Sequence, residues 1–271
     1  MRQIFPAAAD GPEIGPLPRD GAQRDGGPAI TALAALYAYP AARPAPWLRA
    51  TMVASADGAA TVDGRSGGLS GDADRLVFSV LRSLADIILV GAGTARAEGY
   101  RPVRASEVWT ELRDGRAPVP PIAVVTRKLD LNENAPLLAP AAEGARTIVL
   151  TSQAAPAARR AAVARHADVV VAGPDAVSPA AAVAALAARG YRRVLVEGGP
   201  GLLGQVTAAG LLDELCVTFS PVLEGGRASR ILAAPQAGPG AATGLRLAHV
   251  LEDHGALLCR YLRADPGGGS P

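Results

Sequence analysis

The chain has 271 residues, 49% of them apolar and only 4% aromatic, with a formal net charge of +2. That is enough for one large domain or two small ones, with a core that must be built from Ala, Val, Leu and Ile. The balanced charge argues against a nucleic-acid or membrane-surface partner, and no run of about 18 apolar residues is present to span a bilayer.

Residues 1–46 are rich in Pro, Gly and Ala and read as an N-terminal extension, largely disordered or wrapped over the surface, with a short helix near Ile30–Tyr39. Residues 1–25 are expected to be dispensable for folding. The start carries no basic stretch followed by an apolar one, so no signal peptide is expected and the cytoplasm is the expected compartment. The main domain is expected over 47–263. Strand-like runs fall at Leu48–Ala56, Asp86–Val90, Pro121–Thr126, Thr147–Thr151, Asp168–Ala172, Arg193–Glu197 and Leu215–Ser220. Helix-like runs fall at Asp72–Leu84, Ala154–Arg165, Pro179–Arg189 and Gly201–Ala209. The strand runs IILV, IAVV, TIVL, DVVV and RVLV are almost continuously apolar, the pattern of parallel strands covered on both faces. After Asp213 the strands Leu215–Leu223, Leu245–Leu251 and Ala256–Leu262 follow one another without helices, so this end should pair antiparallel. The sum is an α/β fold: a mostly parallel central sheet, helices on both faces, antiparallel C-terminal strands, and a flexible tail over 264–271.

Three loops could carry chemistry. Val90-Gly-Ala-Gly-Thr94 joins a strand to a short helix over Thr94–Glu98, and Glu197-Gly-Gly-Pro-Gly201 does the same before the next helix. Glycines let the backbone approach a ligand, and helix N-termini offer unpaired N–H groups to phosphate. Alone, such a loop reads first as a tight strand-to-helix turn; two of them at one edge of a parallel sheet point to a nucleotide crevice. Ser55-Ala-Asp-Gly58 ends another strand and leads into a glycine-rich loop to Gly71, which suits a substrate lid or a plain Asp-Gly turn. His166, His249 and His254 are scattered without metal or triad spacing, so surface or hydrogen-bonded structural roles are expected. Cys216 and Cys259, the only cysteines, sit in apolar runs and are expected as buried thiols; without CxxC spacing no zinc site, and no metal, is expected.

Taken in order, these strings resemble the reductase domain of bifunctional riboflavin biosynthesis deaminase-reductases. The matching residues are Ser55-Ala-Asp57-Gly58, Leu81-Arg82, Asp86-Ile-Ile-Leu-Val-Gly91-Ala-Gly93-Thr94, Val196-Glu197-Gly198-Gly199-Pro200 and Asp213-Glu214-Leu215, within Trp47 to Leu262. The resemblance implies a dihydrofolate-reductase-like fold and hydride transfer from NADPH. On the cofactor side it implies Val53, Gly91, Gly93, Thr94, Glu98 and Arg127, with Gly198, Gly199, Pro200, Gly201, Leu202 and Leu203. An arginine at position 127, beside the adenosine ribose, would grip a 2′-phosphate and favour NADPH over NADH. On the substrate side it implies Ser55, Asp57, Ser66, Arg82, Arg104 and Glu197, with Asp57 and Glu197 as the catalytic carboxylates. Three departures stand out. No deaminase-like Cys/His element occurs in residues 1–46, Gly67-Gly68 stands where the family often has an aromatic, and Glu98-Gly-Tyr-Arg-Pro102 replaces a D-D-P string.

Two kinds of function fit. One is reduction of a small-molecule pyrimidine or pterin, with riboflavin-pathway and dihydrofolate-type substrates both open. The other is nucleotide binding without turnover, which would not need Asp57, Arg82 and Glu197. A homodimer is expected from the apolar edge that the C-terminal strands would expose.

Overall fold

The computed structural model of the protein describes residues 1–6, 27–41, 43–233 and 242–264. Ten strands form one sheet among these residues: β1 (Arg2–Phe5), β2 (Trp47–Ser55), β3 (Ile87–Gly91), β4 (Ile122–Val125), β5 (Ile148–Thr151), β6 (Asp168–Val171), β7 (Arg193–Val196), β8 (Glu214–Ser220), β9 (Leu245–Asp253) and β10 (Ala256–Arg263). Their spatial order is β1-β9-β10-β8-β2-β7-β3-β4-β5-β6. From β8 to β6 the pairs are parallel, and β8–β10, β10–β9 and β9–β1 are antiparallel. The helices are α1 (Gly27–Leu36), α2 (Asp72–Leu84), α3 (Ala92–Ala97), α4 (Ala157–Ala164), α5 (Pro179–Ala188) and α6 (Pro200–Ala208).

The apolar strand runs are continuous because both faces of the sheet are covered. In β3, Ile87 and Leu89 pack with Leu186 of α5 and Val206 of α6, while Ile88 and Val90 pack on the other face with Ala95 of α3 and Val163 of α4. A third cluster seats α1 and α2 on Leu195, Cys216 and Leu258. Each fully buried Leu or Ile in these layers contributes about 1.5–3 kcal/mol of transfer free energy. Helix α2 is amphipathic in the expected sense, with Ala73, Val77, Val80 and Leu81 buried, and its acidic first turn and basic last turn complement the helix dipole. Cys216 and Cys259 are buried free thiols.

The strand order places the site. Chain order would set β3 beside β2, but β7 inserts between them, so the loops that follow β2, β7 and β3 leave one edge of the sheet side by side. This is the crevice at which open α/β sheets bind ligands.

Two expectations are corrected here. The start of the N-terminal extension is part of the domain. β1 pairs with the outer edge of β9, the Met1 amino group lies 2.9 Å from an Asp253 carboxylate oxygen, and Arg2 pairs with Glu252 at 2.9 Å. A truncation of residues 1–25 therefore removes a sheet strand, and the edge expected to be open is occupied. Helix α1 falls close to its expected place, whereas the rest of the expected disorder (7–26) and the tail beyond 264 lie outside the described residues. Secondly, His249 is neither exposed nor hydrogen-bonded through its buried Nε2. It packs edge-on to Tyr37 with ring centroids 4.8 Å apart, and burial pushes its pKa down to about 4, so it is neutral at physiological pH.

The Asp213-Glu214-Leu215 string proves structural. Glu214 is fully buried beside its register partner Arg49 on β2, whose Nε lies 2.6 Å from Oε1. Arg260 Nε donates to the same oxygen at 2.7 Å, and Trp47 Nε1 donates to Oε2 at 2.9 Å. Asp213 accepts from the Leu48 N–H and pairs with Arg43.

Candidate active site

The two glycine loops touch through backbone. The Gly91 N–H donates to the Gly198 carbonyl at 2.8 Å, and the Glu197 N–H donates to the Leu89 carbonyl at 2.9 Å. Gly198 has φ +87°, a conformation side chains rarely adopt, and a Cβ on Gly199 would sit 2.1 Å from Thr94 Oγ1. Both positions therefore require glycine for the loops to meet. Gly199 is the N-cap of α6, makes no side-chain cap and is followed by Pro200 at the first helical position. Such a helix start leaves first-turn N–H groups for an anionic group. Close backbone approach, a helix N-terminus and a neighbouring hydroxyl at Thr94 together fit the pyrophosphate and nicotinamide parts of a dinucleotide.

A cavity of about 380 Å³ lies beside these loops. Of the residues expected at the site, Val53, Ser66, Arg82, Thr94, Glu98, Glu197, Gly199 and Pro200 line it. Glu197, at the end of β7, has a side chain only 1% exposed. Its burial is offset by a bidentate pair with Arg82 from the last turn of α2, with both N–O distances 2.7 Å, and by the Tyr100 hydroxyl, which donates at 2.6 Å. Burial disfavours the Arg82 cation, but Glu197 more than restores it, so its pKa stands above the usual arginine value. Burial, followed by the Glu197 charge, pushes the Tyr100 hydroxyl well above the usual tyrosine value and keeps it protonated. Glu98 accepts the Ser66 backbone N–H at 2.8 Å, which fastens the glycine-rich loop after β2 over the cavity.

The other expected residues stand back from the cavity wall. Gly91, Gly93, Gly198, Gly201, Leu202 and Leu203 belong to the two loops and helix starts but do not line the cavity itself. Asp57 is also absent from the lining. Its carboxylate accepts the Ser55 hydroxyl and the backbone N–H groups of Glu224 (3.2 Å) and Gly225 (2.7 Å). The Ser55 hydrogen bond, reinforced by these N–H groups, holds its pKa down at about 2. Buried Ser55 in turn accepts the Ala59 N–H at 2.8 Å, so the pair stabilises the turn that begins the loop. Arg127 is exposed just beyond β4 and has no ion-pair partner among the described residues. Arg104 is exposed, and its N–H donates to Glu107.

The cavity also holds residues that motif reading passed over: Thr51, Met52, Ser70, Asp74, Phe78 and Tyr100. Asp74, Phe78 and Arg82 are spaced i, i+4, i+8 on α2, so one face of that helix forms a wall. That spacing is visible in the sequence once the helix is granted. Tyr100 lies in the stretch that departs from the D-D-P string, and its bond to Glu197 is a tertiary contact with no local signal.

Comparison with known proteins agrees with this geometry. Residues 46–258 match the model of the RibD C-terminal domain family. The chain is 32% identical over 187 residues to a 2,5-diamino-6-ribosylamino-4(3H)-pyrimidinone 5′-phosphate reductase of Archaeoglobus fulgidus, covering 68% of this chain and 84% of that protein. A protein of the same name from Methanothermobacter thermautotrophicus is 31% identical over 193 residues, covering 64% and 80%. Among solved structures, a pyrimidine reductase-like protein from Corynebacterium diphtheriae superposes with a TM-score of 0.72 at 27% identity, covering 81% of this chain and 92% of that one. With its two apposed glycine loops, its buried Arg82–Glu197 pair and a match across most of its length, the chain belongs to the RibD C-terminal domain family.

Proposed function

We propose that the chain reduces a pyrimidine ribosylamine 5′-phosphate of the riboflavin-pathway type, with NADPH as its hydride source. The observation that carries the reading is the hydrogen-bonded apposition of the two glycine loops beside a cavity walled by Arg82, Glu197 and Tyr100. A bound nicotinamide would supply hydride to the ribosyl C1′ of a sugar ring opened to an imine, whose nitrogen would take up a proton to give the amine. The chain's own work is positioning and exclusion of water. Gly91 to Thr94 and Gly199 to Leu203 would hold the cofactor. Glu197 fixes Arg82 and the protonated Tyr100 hydroxyl on the substrate side, and Glu98 keeps Ser66 and its loop closed over the cavity. Asp57, ionised at neutral pH, tethers the loop through Glu224 and Gly225. Dihydrofolate-type reduction would use the same crevice, and the relatives' names favour the pyrimidine.

The preference for NADPH rests on Arg127, an exposed guanidinium beyond β4 that can pair with a 2′-phosphate. Loss of reduced-nicotinamide absorbance, followed with a pyrimidine ribosylamine phosphate and with dihydrofolate, tests both points. The pyrimidine is expected to turn over, with NADPH preferred to NADH by about tenfold or more, and Arg127→Ala is expected to erase that preference. Turnover of neither substrate would overturn the proposed reaction.

A homodimer is also proposed, on a different footing from the edge argument. Leu215, Val217 and Phe219 of β8, Leu247 and Val250 of β9, and Cys259 and Tyr261 of β10 share one face, with Ile231 the other member of the cluster. Leu215, Phe219, Leu247 and Tyr261 are only half-buried there, and a second copy would cover them. Light scattering is expected to give twice the chain mass at micromolar concentration; a monomer refutes it.

A further inference from the structure

The glycine-rich loop that closes over the cavity leaves the sheet beside a second segment. β2 ends at Ser55 and β8 at Ser220, which are register partners, so the loop over 56–71 and the segment 221–233 start out as neighbours. The Val222 carbonyl accepts the Ala56 N–H at 2.9 Å, the Asp57 carboxylate takes the Glu224 and Gly225 N–H groups, and the Ser229 carbonyl accepts the Ala60 N–H at 2.8 Å. Four residues further on, the Ala233 N–H donates to the Pro200 carbonyl at 3.0 Å. Ala60 and Pro200 both line the cavity, the first on the loop and the second in the first turn of α6. Residues 229–233 therefore join two walls of the cavity across a reach of at most about 15 Å. Between the two ends, Ile231 packs on the apolar face of β8, β9 and β10. Apart from Ala228 and Ile231, every residue of 221–233 is exposed, so hydrogen bonds to the loop and to α6, rather than burial, hold the segment in place. A second tie runs from the Ser66 N–H to Glu98, the C-cap of α3, which is the helix opened by Gly91 to Thr94. The loop over the cavity is thus fastened to both elements proposed to hold the cofactor.

We propose that residues 221–233 are a strap that couples the loop over the cavity to the start of α6, with Asp57 as its buckle, so that a bound cofactor tightens the loop before substrate arrives. The inference rests on the cofactor reading above and goes beyond it, to how the two halves of the site communicate. An anionic group held by the first-turn N–H groups of α6 fixes the turn from whose Pro200 carbonyl the strap hangs. A fixed strap leaves the loop fewer conformations to lose when it closes, and by linkage a closed loop favours the cofactor by the same factor.

Amide hydrogen exchange on the full chain, with and without saturating NADPH and with no substrate present, reads this coupling. In wild type, NADPH is expected to slow exchange of the Ala60 amide by about fivefold or more, the lower end of usual coupling between sites. Two variants cut the strap at opposite ends. Ala233→Pro removes the N–H that reaches Pro200 and leaves both glycine loops and Asp57 untouched. Asp57→Asn leaves one acceptor oxygen where the Glu224 and Gly225 N–H groups now have two. In both variants NADPH is expected still to slow exchange in the glycine loops, while its effect at Ala60 falls below about twofold. A structural role alone would speed Ala60 exchange equally with and without cofactor, and that result overturns the proposal. So does a wild-type Ala60 amide that NADPH leaves unchanged while the glycine loops are protected, with the reductase reading still standing. So does protection of Ala60 that survives in both variants. If NADPH protects nothing in wild type, the cofactor reading falls and the strap falls with it. The wild-type comparison needs no variant, so a variant that fails to fold does not spare the proposal.

Discussion

Arg82→Met is expected to unfold more easily than wild type by about 3–5 kcal/mol, because it strands the Glu197 carboxylate, 1% exposed, without its cation. Glu197→Gln is the milder change. An amide still accepts one hydrogen bond from Arg82, but the bidentate charge-assisted pair and the strong acceptor for Tyr100 are lost. Its kcat/KM is expected to fall by about tenfold or more, with NADPH affinity within about twofold, since the glycine loops proposed to hold the cofactor do not depend on the Glu197 charge. Denaturant unfolding with calorimetric titration of the cofactor separates the two effects. If Glu197→Gln keeps full turnover, the substrate side of the site lies elsewhere. If Arg82→Met keeps wild-type stability, the pair is better hydrated than its burial indicates.

The second large effect is structural. Glu214→Gln is expected to lower stability by about 3–5 kcal/mol, because it leaves the buried guanidinium of Arg49 and that of Arg260 facing each other around a neutral amide. For a domain of this size that corresponds to a melting point lower by on the order of 10 °C. The pH dependence has a definite sign. Burial by itself would raise the Glu214 pKa, but the coulombic attraction of Arg49 and then Arg260 wins and holds it below the usual glutamate value. The stabilisation is therefore present above that usual value and lost as pH falls through the depressed one. Thermal melts of wild type from neutral to acidic pH should show this loss, and Glu214→Gln should lack that part of the slope. An unchanged melting point in the variant would mean that the cluster relaxes to admit water.

The sequence by itself determined the architecture and the chemistry-bearing loops. Near-continuous apolar runs such as Ile87–Val90 have only one economical fate, a strand covered on both faces, and the alternating helices supply the cover. Helix α2 lies at Asp72–Leu84 as its pattern predicts, and the glycine strings stand at strand ends because that backbone tolerates nothing larger, as the Gly199–Thr94 contact shows. What the sequence left open depends on contacts between residues far apart in the chain. The strand at Arg2–Phe5 has too short a pattern to be read, and its partner β9 begins more than 200 residues later. The division of labour among the acids was equally hidden. Asp57 and Asp74 are both aspartates near glycines, but the first meets the Ser55 hydroxyl and two backbone N–H groups and has its pKa held down, whereas burial, only partly offset by the Ser70 and Thr218 hydroxyls and the Arg75 charge, pushes the second one's pKa up. Glu197 and Tyr100 are 97 residues apart and come together only because β7 inserts between β2 and β3. Local sequence sets which groups are available. Burial and neighbours, which only the tertiary structure decides, set which of them stay charged, which stay paired and which are left for a substrate.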